Sequence, residues 1–185
     1  AHEKCGLTIL GLLIFRLIWG VIGYPTARFV QFVKGPRAIV AYIKQLIGNG
    51  KIHSFGHNPL GALSVIALLS VILFQALSGT LSTDDIFYDG PLYPVFPAFT
   101  KFAGSLHQLL PPFILSLIGL HLVAIITHRI FFKEKLTSQM ITGQMITGKT
   151  HSEEIIKAQN KAAPLIGLAL LATCISASWS LTLLN

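Results

Sequence analysis

The chain has 185 residues, 52% of them hydrophobic and only 11% charged, with a mean hydropathy of +0.68. That charged fraction is about half of what a soluble domain carries, which excludes an ordinary water-soluble fold. The net charge of +7 does not point to nucleic acid, because the basic residues lie in short loops beside apolar runs, where they orient a membrane protein.

A transmembrane helix needs about 20 apolar residues. The first stretch of that kind runs from about Gly6 to Gly23 and contains Arg16. After it come Arg28, Lys34, Arg37, Lys44 and Lys51 with no acid among them. The second predicted span, about Pro59 to Leu81, contains Gln75. An acidic loop with Asp84, Asp85 and Asp89 leads to the third, about Leu106 to Phe132, which holds His107 and His121. Arg129, Lys133 and Lys135 follow. The polar stretch that begins there contains a tandem QMITG repeat, residues 139–148, read as a local duplication in a loop. The fourth span is about Pro164 to Leu184. The predicted fold is therefore an all-α integral membrane bundle with four spans. By the positive-inside rule, residues 28–51 and 129–163 face the cytoplasm and residues 82–104 the periplasm of a bacterium, which places the chain in the inner membrane.

Polar groups within spans are expensive and mark function. His107 and His121 are 14 residues apart. Fourteen helical steps fall about 40° short of four turns and rise about 21 Å, so both rings share a face at two depths. That is too far apart for one metal ion and suits two haems, one near each membrane surface, held by imidazole nitrogens. Buried hydrogen-bonding histidines or a proton relay remain open on spacing alone. His2 and Arg16 repeat the same 14-residue spacing on a span of the same direction. His2 and His107 are thus expected to clamp one haem. His121 would ligate a second, with Arg16 neutralising a haem propionate or else pairing with Gln75 and backbone carbonyls. His57 and His128 are candidates for the missing fourth ligand, although both positions read as interfacial. Gly6, Gly11, Gly61, Gly104 and Gly119 would admit either a macrocycle or a neighbouring helix. Cys5 and Cys174 form neither a CxxC pair nor a CxxCH haem-attachment motif, so they read as small apolar helix residues.

The runs Gly11 to Gly20 (GLLIFRLIWG) and Gly56 to Gly61 (GHNPLG), together with His107 and His121, resemble the bacterial cytochrome b561 family. This family includes the cytochrome b subunits of nickel–iron hydrogenases and formate dehydrogenases. Asp84-Asp85-Ile86 and Leu136 to Gly143 (LTSQMITG) are similar to the branch associated with diheme cytochromes c. The resemblance implies a four-helix core with two b haems. It matches His2 to the second-helix ligand and His107 and His121 to the fourth-helix pair. The Arg-x-x-His-Trp motif of the family's first helix is absent from this sequence. The chain therefore reads as that core without its first helix, either as a true variant or, the favoured expectation, because the sequence starts partway into a longer protein. Residues 1–135 would be the haem-binding core, 136–163 a cytoplasmic loop, and 164–185 an additional span packed on a neighbour.

The leading functional expectation is a haem b electron carrier. It would link the membrane quinone pool to a periplasmic redox partner such as a c-type cytochrome, with quinone oxidoreductase activity left open. Two rivals stand beside it. One is a haem-free proton or solute transporter using His107, His121 and Arg16. The other is a membrane anchor subunit whose acidic loop docks a basic partner.

Overall fold

A computed structural model describes residues 1–24, 27–48, 59–84, 86, 88–131 and 163–184. Four helices are long and apolar enough to cross a membrane. Among the described residues the remainder consists of short helices, turns and irregular segments, apart from an isolated antiparallel bridge between Thr83 and Asp89. The chain is thus an all-α membrane bundle, as its composition predicts. His57 and the tandem repeat lie outside the described residues.

Helix α1 (His2–Ile22) and helix α4 (Pro59–Leu81) are continuous apolar runs. Between them lie a single turn, α2 (Phe29–Phe32), and a three-turn helix, α3 (Pro36–Ile47). The charge pattern alone predicts a basic loop over this stretch, and the structure differs in making it helical. Pro36 stands at the start of α3, where its missing N–H costs nothing. Arg37 and Lys44 fall on one face of α3, while Val40, Ile43 and Ile47 form an exposed apolar face. This is the pattern of a basic amphipathic helix lying in a membrane interface.

Helix α5 (Thr100–Phe131) begins before the span expected from about Leu106, directly after a 3-10 turn at Pro97–Phe99 in the connection from α4. It continues through Pro111 and Pro112. Helix α6 (Ala163–Ser180) ends in a 3-10 turn, Leu181–Leu184.

Two antiparallel pairs dominate the packing, α4 on α5 and α1 on α6, with α1 also touching α4. No hydrophobic force drives helices together in lipid, so small residues decide how closely they approach. A Cβ at Gly11 would come 2.8 Å from the Cα of Ile175 and 2.8 Å from the Ser178 hydroxyl. Gly11 therefore admits a helix, not a macrocycle. Gly167 receives the Trp19 ring, and Trp179 Nε1 donates to Thr8 Oγ1 at 3.1 Å. Cys174 and Ser178 are buried in the same seam. The neighbour of the last span is α1.

Candidate functional site

Ser64, Gln75 and Ser78 fall on one face of α4, since their spacings are near whole helical turns. That face meets α5. Ser64 and Ser78 are 14 residues apart, like His107 and His121, and the two helices run antiparallel. The polar groups therefore match in pairs. His107 Nδ1 lies 2.9 Å from the backbone oxygen of Gln75 and 3.2 Å from Ser78 Oγ. His121 Nδ1 lies 2.9 Å from Ser64 Oγ. Both α5 histidines are half-buried and anchored through the same ring nitrogen.

Gln75 does more than offer its carbonyl. Its side-chain Nε2 donates to the backbone oxygen of His107 at 3.1 Å and lies 3.3 Å from His107 Nε2. Ser78 Oγ donates to the Gln75 carbonyl at 3.0 Å. Gln75 Oε1 is buried without a hydrogen-bond partner. The pairing of Gln75 with Arg16, one of the sequence alternatives, does not occur. Arg16 Nη1 donates instead to the Ala27 carbonyl at 3.1 Å, and its guanidinium lies 4.7 Å from the centre of the Phe29 ring. That ring occupies space that a Cβ at Gly20 would fill. Depth explains the difference, because Arg16 lies near the end of α1 that leads into α2, and Gln75 near the opposite end of the bundle.

At Gln75's end of the bundle, the first turn of α1 brings His2 to His107. The ring centres are 5.9 Å apart and the planes meet at 82°. The two rings line a cavity of about 320 Å³ with Gly6, Ile72, Ala76 and Gly79 among its walls. A Cβ at Gly79 would stand 2.9 Å from His107 Cε1, so this glycine admits the ring. Gly6 has no atom within 4 Å of a hypothetical Cβ, which leaves open space beside His2. Tyr88 closes one side, its hydroxyl 3.4 Å from the Gly79 carbonyl. Burial first, and the charge of Glu3 second, push the Tyr88 phenol above its usual pKa.

The structure places His2 and His107 side by side, with His121 and Arg16 toward the other end of the bundle. Gly79, Ser78 and Ser64 were not singled out from the sequence. The repeated 14-residue spacing of the two serines was the available signal.

The His2–His107 site fits a haem. With metal–nitrogen bonds of about 2 Å, two imidazoles flanking one metal ion have ring centres about 6 Å apart. His107 Nδ1 is held by a backbone carbonyl, which leaves Nε2 as the nitrogen with the lone pair. Among the described residues no three His, Cys, Asp or Glu side chains form a metal cluster. A haem needs none, because its macrocycle supplies four nitrogens and the protein only the axial ligands.

A family model described as prokaryotic cytochrome b561 matches residues 1–143. No curated protein and no solved structure matches the chain.

Proposed function

Given that the chain belongs to the prokaryotic cytochrome b561 family, whose members are membrane b-type cytochromes of electron transfer, we propose that it carries electrons between the quinone pool and a periplasmic redox partner. A c-type cytochrome is the partner proposed. The observation that carries this reading is the His2–His107 pair, 5.9 Å apart at one end of the bundle.

In this reading His2 and His107 would hold one b haem through their imidazole nitrogens. Bound haem supplies a one-electron centre whose potential depends on its axial ligands and surroundings. The protein's own contribution is positional. The Gln75 carbonyl holds the His107 ring through Nδ1, Gly79 leaves space for that ring, and Leu7 and Ile72 help wall the cavity with apolar surface. His121, anchored on Ser64, is the ligand proposed for a second haem about 21 Å further along α5. That distance spans most of a hydrocarbon core of about 30 Å, so the two sites would serve opposite faces of the membrane. Arg16, half-buried toward the deeper end, is assigned to a propionate of the second haem. His57 is retained as a candidate for the second ligand there. The Asp84–Asp89 loop is the proposed docking surface for the periplasmic partner. Asp84 also shapes it, accepting from the backbone N–H groups of Ile86 and Tyr88 at 3.1 and 2.7 Å.

The test is a reduced-minus-oxidised absorbance spectrum of the detergent-purified chain, with haem quantified per polypeptide. A b-type spectrum that His2→Ala and His107→Ala each diminish is expected. A purified, folded chain without a Soret band overturns the reading in favour of a haem-free transporter.

A further inference from the structure

In an α-helix the carbonyl of His107 accepts a hydrogen bond from the N–H of residue 111. Residue 111 is proline and has no N–H. A carbonyl left open at membrane depth costs free energy unless another donor reaches it, because lipid offers none. The donor is on the neighbouring helix, where Gln75 Nε2 reaches the His107 oxygen at 3.1 Å. In the other direction, His107 Nδ1 reaches the Gln75 backbone oxygen at 2.9 Å. Residue 75 of α4 and residue 107 of α5 therefore exchange side-chain-to-backbone bonds in both directions.

Pro112 frees the carbonyl of Gln108 in the same way. Among the described residues no side chain donates to that oxygen. The cross-helix donor serves only the candidate haem ligand, which separates this contact from generic packing. The orientation of the amide follows from chemistry. Turned over, Gln75 would set its oxygen against the His107 carbonyl, with two acceptors facing each other.

We infer that Gln75 is a positioning residue for His107, its side-chain amide replacing the backbone donor that Pro111 removes and thereby fixing the ring of the axial ligand. The inference rests on the haem reading above. Its consequence lies in the ring nitrogens. With Nδ1 engaged as donor to the Gln75 carbonyl, Nε2 keeps its lone pair, and Gln75 Nε2 lies 3.3 Å from it. Ligation at Nε2 would use that lone pair in place of the amide contact and would leave the amide its bond to the carbonyl. Groups that orient a ligating imidazole typically change metal affinity by about 10- to 100-fold when removed.

The experiment uses the full chain in native membranes and compares wild type, Gln75→Met, Pro111→Ala and the double variant. Methionine keeps the length of the side chain and removes the donor. Alanine at 111 restores the N–H within α5. Gln75→Met is expected to release haem about 10- to 100-fold faster, and to shift both the midpoint potential and the low-spin ferric electron paramagnetic resonance signal of the His107-dependent centre. Adding Pro111→Ala to Gln75→Met is expected to restore most of that retention and move both spectroscopic values back. Gln75→Met indistinguishable from wild type in all three measurements overturns the inference, and so does a double variant no better than Gln75→Met. Where Gln75→Met fails to accumulate, a double variant that accumulates with haem supports the inference, and one that does not overturns it. A wild-type chain without a His107-dependent haem signal removes the haem assignment and the inference together. A haem signal that Gln75→Met leaves unaltered removes the inference alone.

Discussion

At His107 two demands compete. A ligating imidazole must be free at one nitrogen, yet a half-buried ring in lipid cannot leave the other nitrogen unpaired. The site meets both by giving Nδ1 a backbone acceptor and by keeping Gly79 without a side chain. Gly79→Ala adds a Cβ 2.9 Å from His107 Cε1, closer than real Cβ atoms come, so the ring must turn. The expected outcome is haem retention lower by about tenfold, the size of effect seen when an orienting contact is lost. Gly104→Ala is the control, because nothing lies within 4 Å of a Cβ there, and it should retain haem like wild type. Equal retention by the two variants, measured as haem per polypeptide after dilution into apomyoglobin, would remove Gly79 from the site. Much of this site was legible at the residue scale, and part was not. The histidines stand out because ionisable groups in apolar spans are costly. Gln75 stands out for the same reason, but its partner depends on how α4 is rotated, and a single polar residue does not fix that rotation. Gly79 is one of several in-span glycines, and only the approach of a ring distinguishes it.

Helices were read well where length and hydropathy decide, and poorly where amphipathicity does. The spans α1, α4, α5 and α6 follow from apolar runs that must satisfy their own backbone hydrogen bonds in lipid. Helix α3 was missed because its charges were read for orientation alone. Arg37 and Lys44 on one face, with Val40, Ile43 and Ile47 on another, carry a helical period that a charge count does not see. The pairing of α6 with α1 was open in the sequence, since small residues occur on several spans. It rests on close approach. At Gly11 the obstacle to any side chain is the backbone of Ile175, which cannot rotate away. Gly11→Val should therefore separate α1 from α6 at a cost of about 1–3 kcal/mol, the usual range for overpacking. A lowered midpoint in thermal unfolding in detergent checks this. Gly35→Val, with open space around its Cβ and a position before α3, is the comparison and should change the midpoint little. An unchanged midpoint in Gly11→Val would mean that α6 does not lean on α1 at this point.

Across the whole molecule, one spacing recurs on three helices. His2 and Arg16, Ser78 and Ser64, and His107 and His121 are each 14 residues apart, about 21 Å along a helix. Antiparallel α4 turns these pairs into two levels, with His2, Ser78 and His107 at one and Arg16, Ser64 and His121 at the other. Charge separates along the same axis. Arg28, Lys34, Arg37 and Lys44 lie in the segment joining α1 to α4, and Arg129 lies at the end of α5. Asp84 and Asp89 lie in the connection from α4 to α5, at the opposite end. Short basic segments stay on the cytoplasmic side during insertion, so the His2–His107 level should lie nearer the periplasm, where the proposed partner would dock. Single cysteines test that direction after Cys5 and Cys174 are replaced by serine. Val95 in the α4–α5 connection and Lys44 on the charged face of α3 are both exposed. In intact spheroplasts a membrane-impermeant maleimide should label Val95→Cys, and should label Lys44→Cys only after permeabilisation. The opposite pattern would place the His2–His107 level at the cytoplasmic face. The partner for that level would then have to be cytoplasmic, and electron delivery to a periplasmic c-type cytochrome would have to start from the His121 level instead.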